Sequence, residues 1–327
     1  MAMERVPYLV GGGFEHSAEV MRSALAASTS GAEGIVTPGD FKVKPLAVPG
    51  TSVVVAPGNA LIRNSYQGGA AQSYAVRAPS QTEVPIVATG SAGGRTDLVV
   101  ARIDDPTYAG SGFDPGTFEA AKLEVIRGVP AATRTAAELG LSYPAIALAR
   151  IALPASTGTV TAGMITDLRV MALPRMKRLL FTHNLAVEET DQISGPAGDP
   201  MGEAWPNVFW YFDIPDWATR VRVRALMGGV RVEEKSPNNF GQLFVRFGSV
   251  ADGFSTQMGR WDISTAAGGV TRQTFMVADD RTVPAAFRGV QTRAYIRAHR
   301  THANLNTPTL DTFSSVSLDV ELYEDVI

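Results

Sequence analysis

Four histidines and no cysteine bound the metal and nucleophile chemistry open to this chain of 327 residues. Without cysteine there is no thiolate nucleophile, disulfide, iron–sulfur cluster or Cys-type zinc site. His299 and His302 are the close histidine pair, with Asp311 as the nearest further donor in sequence. They follow an alternating strand run, so a solvated loop explains them better than a metal site. Glycoside hydrolysis needs two carboxylates at a set separation. The candidate pairs are Asp104–Asp105, Glu188–Glu189, Glu233–Glu234 and Asp279–Asp280, and each reads more simply as a turn former. No Gly-x-Ser-x-Gly elbow is present. Gly11-Gly12-Gly13 lacks the preceding strand and the lysine of a phosphate loop, and reads as a hinge. The residues therefore point to no catalytic residue, no metal and no cofactor.

Two groups of side chains suit recognition instead. Arg220, Arg222, Arg224, Arg246, Arg293 and Arg297 fall on the polar positions of alternating runs. They could bind anionic glycans or phosphates, but pairing with Asp319 and Glu321 across strands is the favoured reading. Aromatics cluster from Trp205 to Phe212, with Trp217 and Trp261 beyond. We take Trp205, Trp217 and Trp261 as glycan or interface candidates, because exposed Trp can stack on sugars or anchor a partner. Core filling or an interface is favoured over a sugar site.

The elements that would carry these groups are mostly strands. Gly 32 and Pro 20 imply many turns, and 45% hydrophobic content is that of a globular chain. The net charge of −3 gives no global reason to bind nucleic acid. Five of the 29 basic residues are lysine, and this arginine bias suggests GC-rich coding DNA. Val6–Val10 is too short for a secretory signal, Pro7 interrupts it, and no apolar run could insert into a membrane. Synthesis in the cytosol follows as the expectation.

Residues 1–13 read as an extended arm and 16–27 as a helix, with Ser17 as N-cap and Glu19 in the first turn. Val20, Met21, Ala24 and Leu25 share one face at helical spacing and are the assembly candidates. A helix of about three turns needs a partner surface. Short β runs follow at 41–46, 52–56, 59–64, 73–78, 83–88, 95–104, 118–127, 145–153 and 167–171. The nearly unbroken apolar run at 95–104 implies a central, buried strand. Residues 188–206 read as a long loop. Beyond Pro174 the alternation becomes strict at 220–225, 243–247, 293–298 and 316–322, as antiparallel strands with one wet face require. The expected fold is mainly β. It comprises an arm and short helix (1–40), a β-rich domain (41–174), and an antiparallel, jelly-roll-like β-sandwich (175–327).

Four stretches, in order, resemble the minor tail proteins of tailed phages that infect actinobacteria. The first is His16–Glu19 through Thr29–Val36 and Pro38–Val43. The second is Val48-Pro49-Gly50 with Val54–Ala60. Arg95–Pro106 is the third, and Leu148–Pro154 with Ile165–Arg169 the fourth. Together they span residues 14–171. The resemblance implies a non-enzymatic structural component of the distal tail or baseplate, located in the virion. It also implies a symmetric homo-oligomer, with a homotrimer expected, and other tail proteins as partners. The arm would dock on a neighbouring tail subunit, and the helix would find its partner there. Host cell-wall glycan is the alternative partner, bound by a peripheral C-terminal sandwich, and a glycan depolymerase is the third reading.

Overall fold

A computed structural model of the chain describes residues 17–109, 119–193, 198–199, 201–233, 239–263, 269–301 and 307–326. The arm over 1–13, Glu234 and His302 lie outside the described residues. The chain divides into two units, Met1–Pro174 with Val326–Ile327, and Arg175–Asp325. Both are mainly β and antiparallel. Among the described residues, no helix is long and apolar enough to cross a membrane.

The first unit opens with α1 (Ala18–Ser28). Next come β1 (Gly34–Ile35), β2 (Val43–Pro45), β3 (Ser52–Val55), β4 (Gly58–Arg63), β5 (Ser73–Ala78) and β6 (Thr82–Pro85). Then follow β7 (Arg95–Ile103), the one-turn α2 (Pro106–Ala109), β8 (Ala121–Ile126), β9 (Ala145–Leu153) and β10 (Ile165–Asp167). They form three sheets, ordered β1-β4-β5, β2-β3-β6 and β10-β9-β7-β8. One core, including Ile35, Phe41, Val55, Ile62, Val99, Leu148 and Ile151, joins them. β7 is covered on both faces. Val99, Ala101 and Ile103 enter that core, while Leu98 and Val100 pack with Val129 and Ala136. A strand buried on both sides has no polar face to show, which is why its sequence does not alternate.

The expected strand at 167–171 is corrected: β10 ends at Asp167, and Leu168–Met171 return to the body through a bridge between Met171 and Ile35. At the facing position Gly34 has φ +134, and a Cβ there would overlap the Val170 carbonyl oxygen. Only glycine lets the two segments lie this close.

The second unit begins with β11 (Met176–Asn184), β12 (Thr190–Gln192), β13 (Glu203–Ala204), β14 (Trp210–Ile214), β15 (Arg220–Glu233) and β16 (Asn239–Phe247). It continues with β17 (Phe254–Ser255), β18 (Gly259–Ile263), β19 (Val270–Thr282), β20 (Val290–Arg300), β21 (Thr309–Asp311) and β22 (Ser315–Tyr323). The expected loop at 188–206 thus contains two short strands. β12 pairs with β21 and β13 with β20, each continuing the edge made by its neighbour in sequence.

With β11–β12, β13–β14, β17–β18 and β21–β22 each taken as one interrupted strand, the described residues form eight strands. One sheet then runs first, eighth, third, sixth, and the other second, seventh, fourth, fifth. That is jelly-roll connectivity, two interlocked Greek keys. Val221, Val223 and Ala225 with Leu318, Val320 and Leu322 meet Trp210, Phe212, Val245 and Ile296 in its core.

Candidate assembly surfaces

The helix carries the assembly candidates, so its seating comes first. Ser17 caps it, its hydroxyl accepting the Val20 N–H at 3.4 Å. No residue of α1 is buried. Met21 is 47% exposed, Ala24 is exposed, and Val20 and Leu25 are half-buried. The expectation that α1 finds its partner only on a neighbouring subunit is corrected, because it rests on β5 of its own unit.

The anchor is Arg22, a residue the apolar periodicity does not single out. Its Nη1 lies 3.3 Å from Asp105, and its Nε donates to Gln72 Oε1 at 2.7 Å. Its guanidinium stands 5.3 Å from the Tyr74 ring centroid and 5.9 Å from that of Tyr108. Tyr74 donates its hydroxyl to Asp105, and Gln72 donates to the Tyr108 hydroxyl, both at 2.8 Å. Burial pushes the Asp105 carboxyl up, but hydrogen bonds from Tyr74 and Thr107 and the Arg22 charge outweigh it and hold it below its ordinary value. The Tyr74 phenol is pushed up by burial and by its bond to Asp105. Beside this clasp, Ala18, Met21, Arg22 and Leu25 form one wall of a groove of about 560 Å³, with Ser73–Val76 along another.

The stretches that carry the family resemblance are structural knots. Asp97 is wholly buried and pairs with Arg95 at 2.7 Å while accepting the Gly128 N–H at 3.1 Å. Asp167 pairs with Arg169 at 2.7 Å, and the buried Arg169 also donates to the carbonyls of Pro38 and Asp40. One guanidinium thereby ties the end of β10 to the loop that precedes β2.

The six arginines expected on one face divide between the two sheets of the jelly roll. Arg178, Glu321, Arg222 and Asp280 stand in register across four strands of the first sheet. Arg222 meets Glu321 at 2.9 Å, Arg220 meets Asp280 at 2.7 Å, and Arg178 meets Asp319 at 2.6 Å. Arg224 is exposed on the same face and adds its charge to the field at Asp319. Arg246, Arg293 and Arg297 lie on the second sheet. Arg246 donates to the carbonyls of Ser249 and Val250, Arg293 to that of Gly248, and Arg297 to those of Met201 and Gly202. These three fasten loops to a sheet and are not presented together to a ligand.

Trp205 is fully buried, and its indole donates to the Asp191 carbonyl at 3.1 Å. Trp261 is 5% exposed and stacks on Phe275 at 5.2 Å. Neither offers a ring face to a sugar, which corrects their candidacy. Trp217 is half-buried, with Arg175 over its ring at 5.3 Å. The sequence signal that could have placed Trp261 inside is its alternation with Arg260 and Asp262, on the phase of Ile263; Trp205 lies outside any strand and carries no such signal.

His299 is buried and burial lowers its pKa, while Asp311 is committed to Arg272 at 2.8 Å. Among the described residues, no three His, Asp or Glu side chains are grouped to hold a metal ion. Among the described residues, members of three of the four acid pairs are engaged by other groups. Asp104 meets Lys122, Asp105 meets Arg22, Asp280 meets Arg220, and Glu189 accepts the Ala186 N–H in a turn.

No family model matches the chain. No curated protein matches it. Among solved structures, the infectious bursal disease virus VP2 subviral particle aligns with 90% of this chain and 74% of its own, at 9% identity and TM-score 0.25. The structure of the same virus's Gx strain aligns with 90% and 76%, at 10% identity and TM-score 0.22. BuGH86 in complex with neoagarooctaose aligns with 85% and 33%, at 8% identity and TM-score 0.18.

Proposed function

We propose that the chain is a non-enzymatic structural subunit of a phage virion, placed in the distal tail or baseplate and working by packing against copies of itself and other tail proteins. The observation that carries this is the ordered series of tail-protein-like stretches in residues 14–171. They coincide with the residues that interlock the first unit: Gly34, Phe41, Asp97, Asp167 and Arg169. These side chains build a platform and leave the α1 face with Met21 and Ala24 exposed to solvent. The second unit, the jelly roll that follows Pro174 in sequence, is the peripheral module. A wall-glycan role for it would rest on Trp217 and the exposed Tyr211 and Phe313, since Trp205 and Trp261 are core residues. The test is removal of residues 1–30. The truncated chain folds but is not incorporated into particles; incorporation at the normal level overturns the proposal.

A further inference from the structure

β5 is the last strand of its sheet, paired with β4 on one side only. The register shows what its other side presents. Asn64 N–H donates to the Gln72 carbonyl, and backbone groups alternate along an antiparallel pair. Tyr74, Val76 and Ala78 therefore bond to β4, while Ser73, Ala75 and Arg77 point their N–H and C=O groups away from it. Among the described residues, no backbone partner meets those outward groups.

This bare edge lines the groove beside α1. Ser73, Tyr74, Ala75 and Val76 form one wall, and Ala18, Met21, Arg22 and Leu25 another. A second hollow of about 520 Å³ continues past Val76 and Ala121, lined by Arg77 to Ser80. Two polar atoms at the head of the edge are shielded from water and unpaired: Ser73 Oγ and Arg22 Nη2. Ser73 is wholly buried. A row of outward amides, an apolar wall and an unused guanidinium N–H together call for an extended polypeptide that supplies carbonyl acceptors and apolar side chains. A small anion would satisfy Arg22 but leave the edge unpaired.

We propose that this groove accepts, as an added strand, the leading segment of a second copy of this chain, residues 1–13. The choice of partner rests on the assembly reading above; the strand-accepting edge does not. Sixteen residues precede Ser17, enough to pair along the edge from Ser73 to Arg77. Val6-Pro7-Tyr8-Leu9-Val10 is apolar like the walls, and proline is tolerated on an edge strand, where one side needs no donor. A free edge is otherwise a standing risk of indiscriminate pairing.

The test uses the full chain. Amide exchange at Ala75 and Arg77 is followed as concentration rises, alongside sedimentation. Protection of these amides increases at least tenfold with self-association, and added peptide of residues 1–13 reverses the association. Ala75→Pro removes an outward N–H without touching a bond to β4, and weakens association at least tenfold. Tyr8→Asp, outside the seat, does the same without perturbing the fold of the groove. Protection that does not depend on concentration overturns the second-copy assignment. Wild-type association by both variants overturns the groove itself. Because neither readout involves particles, failure here is separable from failure of the tail assignment.

Discussion

Arg169 and Arg22 organise the first unit, and neither was conspicuous among 29 basic residues. The Arg169 side chain is fully buried and serves one carboxylate and two carbonyls. Arg169→Ala would leave those acceptors unpaired and cost about 3 kcal/mol. Denaturant unfolding measures it, and a loss below about 1 kcal/mol would show that the knot is dispensable. Arg22 is different, since no residue of the helix it holds is fully buried. Asp105 has a lowered pKa in the folded chain. Its contribution is therefore complete above the unfolded carboxyl value of about 3.9 and is lost as pH falls through the folded value. Protection factors of the amides in Ala18–Ser28 should stay level from neutral pH to about 5 and fall below about 4. Release near pH 6 would assign the clasp to another group.

At the scale of elements, period-two alternation located four strands of the jelly roll, at 220–225, 243–247, 293–298 and 316–322, but not β11 or β19. Its strands are wet on one face, so each carries its own pattern in Val221, Val223 and Ala225 or Leu318, Val320 and Leu322. The short pieces β12 and β13 escaped, because two or three residues hold too little pattern to stand out from a loop. The helix was legible, but its seat was not. Val20, Met21, Ala24 and Leu25 satisfy the apolar spacing, yet what fixes α1 is a cation bound to residues 50 and 83 positions away. Pairing of that range leaves no local signature. The arginine ladder was legible in kind but not in extent: Arg222 meets Glu321, while Arg220 and Asp280 add a third strand. Burial raises and the Tyr323 and Arg220 hydrogen bonds lower the Asp280 pKa, with a net lowering. The pair is about one-third exposed, so Asp280→Asn should cost less than about 1 kcal/mol in thermal melts. A larger loss would mean that the ladder holds the sheet together.

For the molecule as a whole, the two units use the same antiparallel logic for different ends. The first uses its buried charges to interlock short strands and, among the described residues, leaves a strand edge open beside its opening helix. The second closes eight strands over a continuous apolar core and covers part of its second sheet with arginine-fastened loops. A chain without cysteine has no disulfide and relies on such burial for its stability. Assembly into a tail is the central claim, and purified particles test it directly. Quantitative mass spectrometry of virions, with antibody labelling of the tail, should find the chain in multiples of three at the distal end. Absence from purified virions, or a soluble pool with no particle-bound fraction, would contradict it.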